Sequence, residues 1–274
     1  MQQSAYSEPI LRWAGGKRWL LPTIKSILGD VVVNNYHEPF LGGAAVFLGT
    51  SYSGRAFLSD VNSELIEVYE CIRDDYERVS KILASHVNTA EHYYQTRDEV
   101  PGTSLERAAR FIYLNHTSFN GIYRVNLSGK YNVPYGRRES INMPTLDILK
   151  TISDRLQNVQ LKAQDFECCI ENIEPGDLVF LDPPYTVAHN NNGFVKYNQK
   201  LFSWDDQLRL SNLIDKIKKE NSYYILSNAA HDSIAELFEK GDRLVVTQRK
   251  NAVGGASSAR GYASEYLFTN VGLA

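Results

Sequence analysis

Residues 178–185 read LVFLDPPY. Four consecutive apolar residues without alternation describe a strand buried on both faces, the pattern of a parallel sheet covered by helices. Asp182 follows at once, and then Pro183 and Pro184 stop the strand and remove two backbone donors. The chain there is stiff, and its carbonyls have no neighbouring strand to pair with. Two readings follow: a rigid turn with a capping aspartate, or a set of fixed acceptors that serves a ligand.

The rest of the chain supplies the sheet that such a strand requires. YHEPF followed by LGGAAVFLG reads as strand, glycine turn and helix. RAFLSD is a second short strand ending at Asp60, and VNSELIEVYECIRDD is a helix capped at Asn62 or Ser63. A helix is also predicted over residues 19–28. Later, VQLKAQDF and YYILSN read as strands, with SWDDQLRLSNLIDKIKKE a helix capped by Ser203 and HDSIAELFEK a helix ended by Gly241. RLVVTQRK and SEYLFTN are two closing strands suited to antiparallel pairing. Together these predict an α/β fold with a doubly wound, mostly parallel sheet and an antiparallel edge.

One region breaks the alternation. From about residue 70 to 149 the pattern is mostly helical, and GIYRVNLSGKYNVPYG carries a hairpin signal around Ser128 and Gly129. The expected organisation is a domain formed by residues 1–66 and 150–274, interrupted by an insert over 67–149. Residues 107–138 of that insert hold Arg107, Arg110, Arg124, Lys130, Arg137 and Arg138 without one Asp or Glu, interleaved with Phe111, Tyr113, Phe119, Tyr123, Tyr131 and Tyr135. On a chain of net charge −3 this reads as a local nucleic-acid footprint; the alternative is a solvated face over core aromatics.

Composition narrows the setting. No apolar run is long enough to span a bilayer, and the opening MQQSAYSEP lacks a basic-then-apolar signal pattern. Three cysteines, two of them the adjacent Cys168 and Cys169, argue against a disulfide framework and for a reduced cytoplasm.

EPFLGG stands where a strand passes to a helix, so backbone N–H groups and glycines can approach a ligand. Asp60, at the end of the next strand, can accept hydrogen bonds from ribose hydroxyls. The spacing is not GxGxxG, so the ligand suggested is an adenosine without a pyrophosphate, although glycine turns are also common without any ligand. At DPPY, the Asp182 carboxylate and a fixed main-chain carbonyl can both accept from one aromatic amine, leaving its lone pair free to attack. Tyr185 offers a face for stacking the base, which must leave the duplex to arrive there. The methyl donor that joins adenosine to a cationic, transferable group is S-adenosylmethionine.

LRWAGGKRWLLP, EPFLGGAAVFL, SDVNSELIEVY, FNGIYRVNLSGKYNVPYGR, LDPPY and SSARGYASEYLFTN occur in this order along nearly the whole chain. In these six blocks the sequence resembles the Dam-type (alpha-group) DNA adenine amino-methyltransferases. The resemblance implies a Rossmann-like S-adenosylmethionine-dependent methyltransferase domain and a target-recognition insert. It implies that Trp13, Lys17, Asp60 and Asp182 hold the cofactor, with Phe40 and Gly42 lining the pocket and Asp165 and Phe166 beside its adenine ring. Lys17 could instead be a surface lysine at a helix start.

Asp182, Pro183, Pro184 and Tyr185 would hold the flipped adenine. Asn120, Ile122, Arg124 and Pro134 would face the DNA, with Arg12 at the place of a guanine-reading cation; Asn126, Arg137 and Arg138 complete this set. Ile122 and Pro134 suit a thymine methyl, and Asn120 or Phe119 would fill the gap left by the extruded base. Arg124 either reads a base or touches phosphate. Phe119 stands where the best-known members have tyrosine, and Arg138 where some have an intercalating aromatic. GATC is the target expected from Arg12, Asn120, Arg124 and Pro134.

The resemblance further implies duplex DNA as partner, a monomer in the cytoplasm associated with the nucleoid, and either an orphan role or pairing with a restriction endonuclease. No metal is expected: His189 in HNNNG has no second ligand at suitable spacing. That run, and NAVGGASSARG with Arg260, read as flexible loops near DNA. The rival functions are an RNA or protein amino-methyltransferase and a DNA-binding module without catalysis.

Overall fold

A computed structural model describes residues 7–126, 128–185, 202–250 and 262–272. His189, the HNNNG run, Arg260 and the NAVGGASSARG loop lie outside the described residues. The strands are β1 (Tyr36–Glu38), β2 (Ala56–Asp60), β3 (Val159–Ala163), β4 (Leu178–Leu181), β5 (Tyr223–Ala229), β6 (Arg243–Lys250) and β7 (Tyr262–Thr269). They form one seven-stranded sheet in the order β3-β2-β1-β4-β5-β7-β6. Strands β2, β1, β4 and β5 pair in parallel, and β7 pairs antiparallel with both β5 and β6. The doubly wound, mostly parallel reading with an antiparallel edge holds. All four residues of β4 are buried, as an unalternating apolar run at the middle of a parallel sheet demands.

The helices are α1 (Leu21–Leu28), α2 (Ala45–Gly49), α3 (Ser63–Ala84), α4 (Ala90–Asp98), α5 (Ser104–Thr117), α6 (Leu146–Leu156), α7 (Trp204–Lys219) and α8 (Asp232–Phe238). The helix expected over 19–28 begins as a 3-10 turn, Arg18–Leu20, and becomes α-helical at Leu21 with Pro22 in its first turn. Asn62 caps α3 by accepting from Leu65 N, and Ser203 caps α7 in a reciprocal box with Asp206. α8 stops at Phe238, short of Gly241, because Glu239 already leaves helical geometry (φ −75°, ψ 84°).

The predicted hairpin is reduced to isolated antiparallel bridges, Ser118 to Tyr135 and Val125 to Tyr131. Its turn is closed by the backbone, Asn126 N donating to Lys130 O at 2.8 Å, and by a side chain: Asn126 Oδ1 accepts from Ser128 N at 2.9 Å and Lys130 N at 3.0 Å. An asparagine that satisfies the backbone in this way competes with a strand ladder.

By its contacts the chain forms two units. The first contains Met1–Leu21, Leu41–Ser51 and Ser59–Gln164; the second contains Pro22–Phe40, Tyr52–Leu58 and Asp165–Ala274. The first unit packs α3 against α5 and α6. Leu65, Val68, Tyr69 and Ile72 of α3, with Ala109, Ile112 and Tyr113 of α5, are wholly buried. The core of the second sets Val179 and Leu181 of β4 and Leu226 of β5 among Leu210, Ile214, Phe238 and Phe268. Among the described residues no helix is long and apolar enough to cross a membrane.

Candidate active site

In the first unit, the glycine turn and the end of β2 are joined by a carboxylate. Asp60 Oδ2 accepts from Gly42 N and its Oδ1 accepts from Asn62 N, each at 3.0 Å. Burial pushes the Asp60 carboxyl above its usual range, and the backbone N–H groups of Asn62, Gly42 and Val61 pull it back. Gly42 has φ +47°, and a Cβ on it would lie 2.7 Å from Trp13 Cδ1. Only glycine suits that position, in both conformation and space. Tyr69 OH donates to Gly42 O at 3.1 Å, which fixes the turn from α3. Trp13 is stacked on Tyr123 at 5.7 Å and on Phe111 at 6.4 Å. Lys17 is 4% exposed and its Nζ donates to Gly15 O at 2.8 Å, so it is not a surface lysine. Trp13, Gly42 and Asp60 thus form one cluster from three separate sequence blocks.

In the second unit, Asp182 to Tyr185 emerge from the carboxyl end of β4, with Pro183 buried. Tyr185 OH donates to Glu265 Oε2 of β7 at 2.6 Å and meets Ser227 Oγ of β5 at 3.2 Å. These two bonds hold the hydroxyl end of Tyr185 in place and so fix where its ring lies, as a stacking surface requires. Phe40, just past β1, stacks on Phe166 at 5.2 Å, and Phe202 meets Phe40 edge-on at 5.7 Å. Asp165 Oδ1 accepts from Glu167 N at 3.0 Å and from Arg209 at 2.7 Å. Arg209 also pairs with Glu167 and Asp206, and lies 4.8 Å over the Phe166 ring. Phe40, Asp165 and Phe166 are therefore neighbours, held from α7.

The expected DNA-facing residues of the first unit gather after α5. Phe119 to Gly121 form a 3-10 turn in which Asn120 has φ 55°, and Phe119 is 52% exposed. Phe119 N donates to Pro134 O at 2.9 Å, and Tyr131 OH to Ile122 O at 2.8 Å. Arg124 Nε donates to Asn132 Oδ1 at 2.7 Å while staying exposed. Asn126 is occupied by its own turn. Arg137 is exposed with φ 51°, and the half-buried Arg138 accepts from Asn88 Nδ2 through its main-chain O.

Not every cation of the acid-free run is part of that surface. Arg107 pairs with Glu67 of α3, and Arg110 donates to the carbonyls of Thr96 and Arg97 at the end of α4. Phe111 and Tyr113 are core residues. Of the six cations, Arg124, Lys130, Arg137 and Arg138 are left as candidates for a DNA-facing role.

Several site residues escaped the sequence reading: Tyr69, Arg209, Ser227 and Glu265. Glu265 stands between Ser264 and Tyr266 in a strand of mixed polarity, where no local pattern marks it, yet it is 1% exposed.

Residues 13–252 match the model of the D12 class N6 adenine-specific DNA methyltransferases. The chain is 33% identical to the type II methyltransferase M1.LlaDCHI of Lactococcus lactis subsp. cremoris, covering 96% of this chain and 95% of that one. It is 34% identical to the type II methyltransferase M.MjaIII of Methanocaldococcus jannaschii, covering 85% and 88%. Identity to the DNA adenine methylase of Escherichia coli K12 is 31%, covering 88% and 87%.

Proposed function

Because the chain belongs to the D12 class of N6 adenine-specific DNA methyltransferases, we propose that its residues divide the reaction as follows. Asp182 and the main-chain carbonyls of the proline pair accept the two N–H bonds of an extruded adenine's amine. Tyr185 stacks against the purine. The observation that carries this reading is the pairing of the Tyr185 hydroxyl with Glu265 and Ser227, which positions an aromatic ring three residues after the carboxylate at the end of β4.

The methyl donor is S-adenosylmethionine, whose sulfonium supplies an electrophilic methyl group. The residues fit its adenosine. Asp60 is a carboxylate held in place by backbone N–H groups, suited to ribose hydroxyls, and Gly42 leaves the turn beside it without a side chain. Phe40 and Phe166 supply aromatic surface for an adenine ring, with Asp165 adjacent. Trp13, Lys17 and Asp182 complete the donor-binding set. These groups bind, orient and exclude water; transfer is direct, with no covalent enzyme intermediate.

The substrate is duplex DNA, and the target is GATC or a closely related short site. Arg12 and Arg124 read guanine edges, Ile122 and Pro134 face a thymine methyl, and Asn120 or Phe119 occupies the space of the extruded base. Asn126, Arg137 and Arg138 position the backbone. Residues 1–66 and 150–274 act as the catalytic domain and 67–149 as the target-recognition domain. The protein acts as a monomer on cytoplasmic DNA, alone or beside a restriction endonuclease that shares its site.

Incubating the protein with plasmid and donor, then mapping modified adenines at base resolution, tests this reading. N6-methyladenine confined to one short site is expected. Marks outside GATC overturn the target, and transfer to RNA but not to duplex DNA overturns the substrate.

A further inference from the structure

The amide of Asn115 sits in the last turn of α5, 1% exposed, and none of its partners belongs to α5. Its Oδ1 accepts from Arg12 N at 2.7 Å. Its Nδ2 donates to Arg12 O at 2.9 Å and to Gly121 O at 3.1 Å, which uses both of its donors. One side chain therefore clamps the main chain on both sides of Arg12 and joins it to the turn that carries Phe119 and Asn120. The next residue repeats the clamp: His116 Nε2 donates to Ile10 O at 2.6 Å.

The fit extends to the side chain of Arg12. Gly121 has φ +66°, and a Cβ on it would lie 2.7 Å from Arg12 Cδ and 2.8 Å from Arg12 Cβ. The stem of Arg12 fills the space that the missing side chain leaves. Asn120, in the left-handed region without being glycine, is held there by the same packed turn.

We propose that Asn115 is a specificity-determining positioning residue: through the Arg12 and Gly121 main chains it sets Arg12 in register with the Phe119–Gly121 turn. The proposal rests on the base-reading roles given above to Arg12 and Asn120. A bidentate contact to a base edge tolerates little displacement, whereas a phosphate contact tolerates more. Loss of the clamp thus costs discrimination before it costs general binding.

The test uses the full chain in three variants, Asn115→Ala, Gly121→Ala and Arg12→Ala. For each, methylation rates are measured on the cognate site and on all sites differing by one base. Binding of S-adenosylhomocysteine is measured by calorimetry, and thermal melting checks the fold. Asn115→Ala and Gly121→Ala are both expected to lower the ratio of cognate to one-base-off rates by roughly ten- to hundredfold, the size of one lost base contact. S-adenosylhomocysteine affinity stays at the wild-type value. Equal losses on cognate and one-base-off sites, or an unchanged ratio, overturn the proposal. If Asn115→Ala does not fold, Gly121→Ala decides by the same ratio. An unchanged ratio in Arg12→Ala removes the base-reading premise, and the proposal with it. A lowered ratio in Arg12→Ala but in neither other variant removes the role of Asn115 alone.

Discussion

At the level of single side chains, the candidate site rests on residue types that are rare in a bland turn. Asp182 ahead of two prolines is one such case, and Asp60 at a strand end is another. Asp182→Ala should lower single-turnover methyl transfer by about 10²–10³-fold or more, the usual cost of removing an oriented acceptor at a reacting group. Near-normal turnover would end its assigned role. Gly42→Ala should abolish binding of S-adenosylhomocysteine in calorimetry, because its Cβ would overlap Trp13 and its φ is +47°. Burial raises the Asp60 carboxyl, so acidification should neutralise it above the usual carboxylate range. Donor affinity should then fall as pH decreases, starting earlier than for an ordinary aspartate; a flat profile down to that range would contradict the ribose contact. Glu265 and Asn115 were missed for a common reason: each acts through hydrogen bonds to residues far along the chain, which no local pattern records.

Helices and strands followed their local signals closely where caps and apolar periodicity agreed. Ser203 was read as a cap and is one, closing a box with Asp206. Thr103 forms the same box with Glu106 at the start of α5, from TSLE, and went unread. Thr103→Ala should cost about 1 kcal/mol of stability, seen as a lower urea midpoint with unchanged slope. The hairpin around Ser128 and Gly129 formed, but its pairing is short. The strands meet only at isolated antiparallel bridges, and the Asn126 side chain takes two backbone N–H groups of the turn. The sharp break inside α3, at Asp75 with φ −155° and ψ 62°, had no signal in a sequence free of proline there.

Across the molecule, charge and protonation depend on partners that meet only after folding. Arg110 is spent on carbonyls of α4 while Arg137 is exposed. Arg137→Ala should therefore reduce the salt slope of DNA binding by about one, and Arg110→Ala should leave it unchanged. Similarly, burial and then the neighbouring His92 lower the His86 imidazole from 6.5 to about 4. Its folded-state value lies below the unfolded one, so stability present above pH 6.5 is lost as pH falls toward about 4 and changes little beyond. Thermal melting of His86→Phe beside the wild type should show a shallower decline over that window. The linear chain by itself determined the α/β architecture, the order of the strands as elements and the residues at the carboxyl ends of β2 and β4. Periodicity, caps and proline are local, and they act on the backbone wherever it lies. Only tertiary structure decided which cations are paired within the protein, that Glu265 anchors Tyr185, and that Asn115 clamps Arg12. Those outcomes are contacts between residues remote in sequence, and burial, not residue type, sets what such groups can do.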